Sequence, residues 1–340
     1  MNTTIAVTGI TGFIAAHTAA ILLSRGYGVR GTLRHPEKLA ETKLAGVPGV
    51  DRLTAVAADL VRPGSFAGAF AGCSAVLHMA SPYVLEAKDP QQELVEPAVK
   101  GSIQVLEAAA ATPSVKRVVL TSSMAAVTDE PDGRVLTEAD WNTKSSLSRN
   151  PYYFAKSEAE RAAWAFVESN KPGFDLVAIN PFLVIGPSLT PGLNTSNQII
   201  VEALTGVFPG ILELTWGMVD VRDVALAHVL ALENPRAEGR YLCAAESITM
   251  RQLLETLKPL ARPGEKLPTL GLDFPMASKL AKLFAFTQPP GAASYMKTHL
   301  GRVPRFDTGK IQRDLGLKYR DVRATIAETV ADLREWKHLK

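Results

Sequence analysis

The chain has 340 residues, 46% of them hydrophobic and 21% charged, with 37 basic and 34 acidic side chains and a formal charge of +3. This supplies a sizeable core, allows about two domains at roughly 150 residues each, and excludes both a largely disordered chain and a polybasic nucleic-acid binder. Cys73 and Cys243 lie far apart, which excludes a disulfide framework and points to a reducing, cytoplasmic compartment. The start, Met1-Asn2-Thr3-Thr4, lacks a basic leader, and no stretch is apolar enough to span a bilayer, so no membrane partner is expected.

Residues 4–8 read as a strand, 13–25 as a helix, and 28–34, 53–58 and 75–79 as further strands. A long helix over 91–111 carries Leu94, Val95, Ala98, Val105 and Leu106 near helical spacing. A strand over 116–121 follows, then a helix over 151–170 opened by Pro151, and a strand over 174–179. Several strands are Val/Leu/Ile-rich without alternation, the pattern of strands buried on both faces of a parallel sheet. The alternation predicts an α/β fold, a doubly wound parallel sheet of Rossmann type with right-handed crossovers.

After Asn180-Pro181 the rhythm breaks. Residues 186–197 read as a loop, 220–232 as an apolar helix, and 240–243 as a strand returning to the sheet. From about 246 the chain is mostly helical segments broken by prolines. The expected division is therefore a dinucleotide-binding domain over 1–186 and about 218–245. The remainder, about 187–217 and 246–340, is a smaller, mostly helical substrate-binding lid.

Four patterns carry chemistry. Gly9-Ile10-Thr11-Gly12-Phe13-Ile14-Ala15 joins the first strand to the first helix, where glycines permit a tight turn and backbone N–H groups meet a pyrophosphate. The second strand ends in Leu33-Arg34-His35 with no acid, which suits the 2′-phosphate of NADP rather than the ribose hydroxyls of NAD. Thr121-Ser122-Ser123 closes the fifth strand, where a serine is placed to hydrogen-bond a carbonyl oxygen. Tyr152 and Lys156 lie four residues apart on one helix face, and an adjacent ammonium lowers a phenol's pKa towards a useful range.

Together with Ala58-Asp59-Leu60, His78-Met79-Ala80-Ser81-Pro82, Asn180-Pro181-Phe182-Leu183, Asp220-Val221-Arg222-Asp223 and Gly239-Arg240-Tyr241, these motifs resemble the extended short-chain dehydrogenase/reductases. The likeness is strongest to the branch of dihydroflavonol reductases, cinnamoyl-CoA reductases and related yeast and bacterial aldehyde/ketone reductases, and it runs along nearly the whole chain. It implies Ser123, Tyr152 and Lys156 as catalytic residues, with Tyr152 the proton donor. It also implies that Gly9, Gly12, Phe13 and Ile14 cradle the pyrophosphate, that Arg34 meets the 2′-phosphate, and that Asp59 and Leu60 border the adenine. Ala80 and Ser81 line the cofactor channel, Pro181 and Leu183 flank the nicotinamide, and Lys156 also meets the ribose. Two departures stand out. Ala98 replaces an asparagine of the family's proton relay, and Thr128 replaces one that holds a flavonoid's catechol ring.

The expected activity is NADPH-dependent reduction of aldehydes or ketones by a monomer or homodimer, the dimer pairing helices 91–111 and 151–170. The alternatives are a nucleotide-sugar epimerase or dehydratase with bound NAD, and a non-catalytic NADP-binding redox sensor. The six histidines show no ligand pairing, so no metal site is expected. Cys73 and Cys243 read as small core residues. Met124, Tyr83, Trp141, Phe182 and Trp216 are candidates for either a substrate cavity or plain core.

Overall fold

The computed structural model describes residues 3–81, 87–288 and 290–339. The first half runs β1 (Thr4–Thr8), α1 (Phe13–Ser24), β2 (Gly28–Leu33), β3 (Leu53–Ala57), β4 (Ala75–His78), α2 (Glu96–Ala110), β5 (Arg117–Thr121), β6 (Val135–Leu136), α3 (Pro151–Asn170) and β7 (Asp175–Pro181). Then come β8 (Leu183–Ile185), α4 (Thr195–Thr205), β9 (Ile211–Leu212), β10 (Thr215–Asp220), α5 (Val221–Glu233), β11 (Gly239–Cys243) and β12 (Glu246–Thr249). The chain ends with α6 (Met250–Leu257), β13 (Gly271–Leu272), α7 (Pro275–Leu283), α8 (Pro290–His299), β14 (Arg305–Phe306), α9 (Gly309–Leu315) and α10 (Val322–Glu335).

Seven parallel strands form the central sheet in the order β11-β7-β5-β4-β1-β2-β3. The expected returning strand is β11, paired with β7 from Gly239↔Val177 to Cys243↔Pro181. Successive residues serve opposite faces, as the strand period of two requires. Ile5 and Val7 of β1, Leu77 of β4, Val119 of β5 and Ile179 of β7 join the cluster under α1 and α5. Ala6, Val76, Val118, Leu120 and Ala178 join the other, with Val105, Leu106 and Ala163 of α2 and α3. A third cluster unites Ile200, Trp216, Met218, Leu253, Leu257, Ile326 and Val330 from α4, β10, α6 and α10. Ile311 and Leu315 of α9, although late in the chain, pack with the sheet cluster.

Three elements differ from the sequence reading. The helix expected from 91 opens with a wide π-type turn over Gln91–Val95, where the Glu96 N–H reaches Gln91 O. Pro97 has no N–H for the carbonyl four residues back, so a regular turn would leave that bond unmade. The expected loop over 186–197 gives way to α4 at Thr195, because Asn194 caps it by accepting the Asn197 N–H at 2.9 Å. Asp220 is likewise a cap, its Oδ1 accepting the Arg222 N–H at 2.7 Å.

Candidate active site

In this sheet the strand order reverses between β1 and β4, and the crevice at their carboxyl ends is where ligands of open α/β sheets bind. Gly9 follows β1 at φ 66°, in the left-handed region, and a Cβ there would stand 3.0 Å from Ala80 Cα. The Gly12 N–H closes the turn onto Gly9 O at 2.7 Å. Gly12 is also the N-cap of α1, with no side-chain cap and no acid in the first turn. Such a helix start offers its N–H groups and positive dipole end to an anion, so the residues present fit a dinucleotide's pyrophosphate. Phe13 and Ile14 sit half-buried on the α1 side of the sheet core, and Ala15 is buried.

A threonine that sequence reasoning passed over locks this crevice. Thr8 Oγ1 accepts the backbone N–H groups of Met79 and Ala80, each at 3.0 Å. With both lone pairs used, its own proton goes to His78 Nδ1 at 2.9 Å. Burial holds the His78 pKa down to about 3, so the imidazole stays neutral and accepts that proton. The ends of β1 and β4 are thereby tied together directly before Ala80 and Ser81. The one signal in the sequence is a hydroxyl immediately before the first glycine.

At the next strand end the two serines part company. Ser122 is buried and donates to Glu160 Oε2 at 2.5 Å. Ser123 stays half-buried in extended backbone, its Oγ accepting the Ala125 N–H at 3.2 Å. Glu160, on α3, is 1% exposed and also accepts from Asn180 Nδ2 at 2.8 Å, Trp164 Nε1 at 3.1 Å and Arg240 Nε at 2.6 Å. The Arg240 guanidinium further donates to the carbonyls of Glu138 and Asp140 and lies 3.9 Å from the Trp141 ring centroid. Asn180 also donates to Ser123 O at 3.2 Å, so the network reaches the serine's own backbone. Arg240 falls within a quoted motif, but no sequence pattern pairs it with Glu160, 80 residues away.

Tyr152 and Lys156 share a face of α3, the Lys156 ammonium standing 5.9 Å from the Tyr152 ring centroid. Lys156 Nζ donates to Ser81 Oγ at 2.9 Å, joining α3 to the end of β4. Desolvation lowers the Lys156 pKa from its ordinary 10.5 to about 8. Tyr153 turns towards α8, its hydroxyl 3.4 Å from His299 Nε2. A small cavity behind Lys156 is lined by His78, Ser81, Ala98, Ser102, Ser122 and Glu160. Ala98 thus leaves a small apolar patch beside Lys156.

The remaining candidates lie on several elements. Arg34 is exposed at the end of β2, and no acid stands beside it before Glu37. Asp59 caps its own turn, accepting the Val61 N–H at 3.1 Å, while Leu60 is met by α2 at Gly101, where a Cβ would lie 3.0 Å from it. Pro181 ends β7 and Leu183 begins β8 beside Met218. Of the aromatic candidates, Trp216 and Phe182 are core, Phe182 packing 4.7 Å from Phe306. Trp141 stacks on Arg161 and Arg240, and Tyr83 and Pro82 lie outside the described residues. Thr128, Cys73 and Cys243 are buried. Among the described residues no helix is long and apolar enough to cross a membrane.

The profile of the NAD dependent epimerase/dehydratase family matches residues 5–244. Cinnamoyl-CoA reductase 1 of Arabidopsis thaliana is 39% identical over 99% of this chain and 90% of its own length. Tetraketide alpha-pyrone reductase 1 of the same plant is 35% identical over 98% and 96%. Among solved structures, Gre2 of Candida albicans in complex with NADPH superposes with a TM-score of 0.79 at 30% identity, covering 98% of this chain and 99% of that one. The chain belongs to the NAD-dependent epimerase/dehydratase family and is an oxidoreductase of the extended short-chain dehydrogenase/reductase type.

Proposed function

We propose that the protein is an NADPH-dependent reductase of aldehydes and ketones. The observation that carries this is the pairing of Tyr152 with Lys156 on one face of α3, with Lys156 anchored on Ser81 beside the point where the strand order reverses. NADPH, the cofactor of the Candida albicans relative, supplies the hydride to the carbonyl carbon when bound. Gly9, Gly12, Phe13 and Ile14 hold its pyrophosphate through backbone N–H groups, and exposed Arg34 pairs with the 2′-phosphate. Asp59 and Leu60 border the adenine, Ala80 and Ser81 line the channel, and Pro181 and Leu183 flank the nicotinamide.

The substrate oxygen lies between Ser123 and Tyr152. Ser123 donates a hydrogen bond as negative charge grows on that oxygen, and Tyr152 delivers the proton that completes the alcohol. Lys156 stabilises the phenolate left behind and orients the ribose. The residues over 1–186 and about 218–245 form the cofactor unit of this scheme, and the rest shape the substrate pocket. Buried Thr128 has no carboxamide for a catechol, so simple aryl and aliphatic carbonyls are better substrates than dihydroflavonols.

The test follows NADPH absorbance against a panel of aldehydes, ketones, diketones, acyl-CoA thioesters and a dihydroflavonol. Turnover of aldehydes or ketones is expected. Tight NADPH binding with no turnover of any carbonyl would support the sensor reading instead.

A further inference from the structure

Asn150 opens the helix that carries Tyr152, yet its side chain makes no capping bond to that helix. It is 4% exposed and sits in the left-handed region at φ 48°, a conformation that Asn tolerates better than most side chains. Both carboxamide hydrogens are spent elsewhere. One goes to Asp129, the other to Thr298 Oγ1 at 3.1 Å. The Asn150 backbone N–H donates to Ser294 Oγ at 3.2 Å. Ser294 and Thr298 are one turn apart on α8, so a single face of this lid helix is pinned to the start of α3.

The anchor beneath the contact is polar and buried. Asp129 is 1% exposed and accepts from Arg149 Nε at 2.6 Å, while Arg149 also donates to Glu130 at 2.6 Å. Glu130 pairs in turn with Arg302, just beyond α8. His299, beside Thr298, stacks on Tyr295 at 4.0 Å and reaches Tyr153. Three segments therefore meet at the residue two positions before Tyr152.

We infer that Asn150 is a positioning residue. With Asp129 and Thr298 it clasps α8 to α3 and sets where Tyr152 presents its hydroxyl to the substrate. The inference rests on the reading of Tyr152 as proton donor.

The test is steady-state kinetics on Asn150→Gly, Thr298→Val and Thr298→Ser, with Tyr152→Phe as control and NADPH affinity measured by fluorescence. Glycine keeps the backbone angle and loses both side-chain donors. Valine keeps the threonine shape and loses the acceptor. Asn150→Gly and Thr298→Val should each lower kcat about tenfold, the scale of a modest misplacement of a reacting group, with NADPH Kd and substrate KM little changed. Thr298→Ser should restore kcat close to wild type. Wild-type kcat in folded Thr298→Val, or a rise in KM alone, overturns the clasp, and Thr298→Val decides the matter even where Asn150→Gly does not fold. If Tyr152→Phe is itself fully active, the underlying reading fails instead.

Discussion

Around Ser122 and Ser123 buried polar side chains are held by Glu160, Asn180 and Arg240, whereas over residues 270–286 it is the apolar side chains that face water. On α7, Met276, Leu280 and Leu283 are exposed, while Ser278 turns inward and donates to Glu213 at 2.6 Å. Phe286, at 73%, is the most exposed of the large apolar residues described. The contrast separates two kinds of constraint. At the strand end a lost partner leaves a desolvated charge, so each residue there depends on the others. On the outer face of α7 a side chain has little to lose, and substitution costs little stability.

The largest effect is expected at the buried pair. Glu160→Ala strands the Arg240 guanidinium and should destabilise the protein by about 3–5 kcal/mol in urea unfolding. The double variant Glu160→Gln, Arg240→Met should recover part of that loss. A cost below about 1 kcal/mol would erase the contrast between the two regions.

Next in size is the cofactor preference. Arg34→Ala should reduce the NADPH/NADH ratio of kcat/KM by about ten- to a hundred-fold, the value of one charge-assisted phosphate contact. An unchanged ratio removes Arg34 from the site. Gly9→Ala follows, combining a positive φ with the approach to Ala80. It should weaken NADPH binding by about 1–2 kcal/mol in titration calorimetry, and unchanged affinity would mean the turn does not hold the pyrophosphate.

The Lys156 ammonium gives a pH dependence with two opposite signs. Its pKa is lowered to about 8 in the folded chain from an ordinary 10.5, so the protonated form is the disfavoured one. Burying the ammonium costs stability below pH 8, and that cost is relieved as pH rises from about 8 towards 10.5. In the proposed mechanism catalysis uses the charge, so kcat/KM should fall over the same range, with a limb near pH 8 that Lys156→Arg removes. A flat profile to pH 10 argues against a catalytic ammonium. The smallest effect is expected for Leu280→Gln or Leu283→Gln, within about 0.5 kcal/mol of wild-type stability. A larger loss would show that another surface covers this face.

The sheet and the order of its elements were legible because short-range rules govern them. The glycine turn after β1 and the prolines at helix starts are local signals, and an i,i+4 pair shows which residues share a face. The helix over 151–170 matches α3 at both ends for that reason. What escaped is long-range. Thr8 with His78, Glu160 with Arg240, and Asn150 with Thr298 are separated by 70, 80 and 148 residues, and only the fold makes them neighbours. Trp141 and Trp216 escaped for a related reason. An aromatic in sequence does not say whether its ring meets a cation, a core or a cavity. The inward-turned Ser278 of α7 defeats periodicity altogether, since its apolar stripe faces the wrong way for core packing.

Two adjacent tyrosines allow the most direct test of the central claim, that Tyr152 is the proton donor. One residue turns a helix by about 100°, so only Tyr152 shares the Lys156 face, and Tyr153 instead points at His299. The measurement is kcat for Tyr152→Phe and Tyr153→Phe side by side, with NADPH and one good carbonyl substrate. The account predicts a loss of about 10²-fold or more for Tyr152→Phe with NADPH affinity retained, and most of the activity kept by Tyr153→Phe. A near wild-type Tyr152→Phe beside an inactive Tyr153→Phe would contradict it.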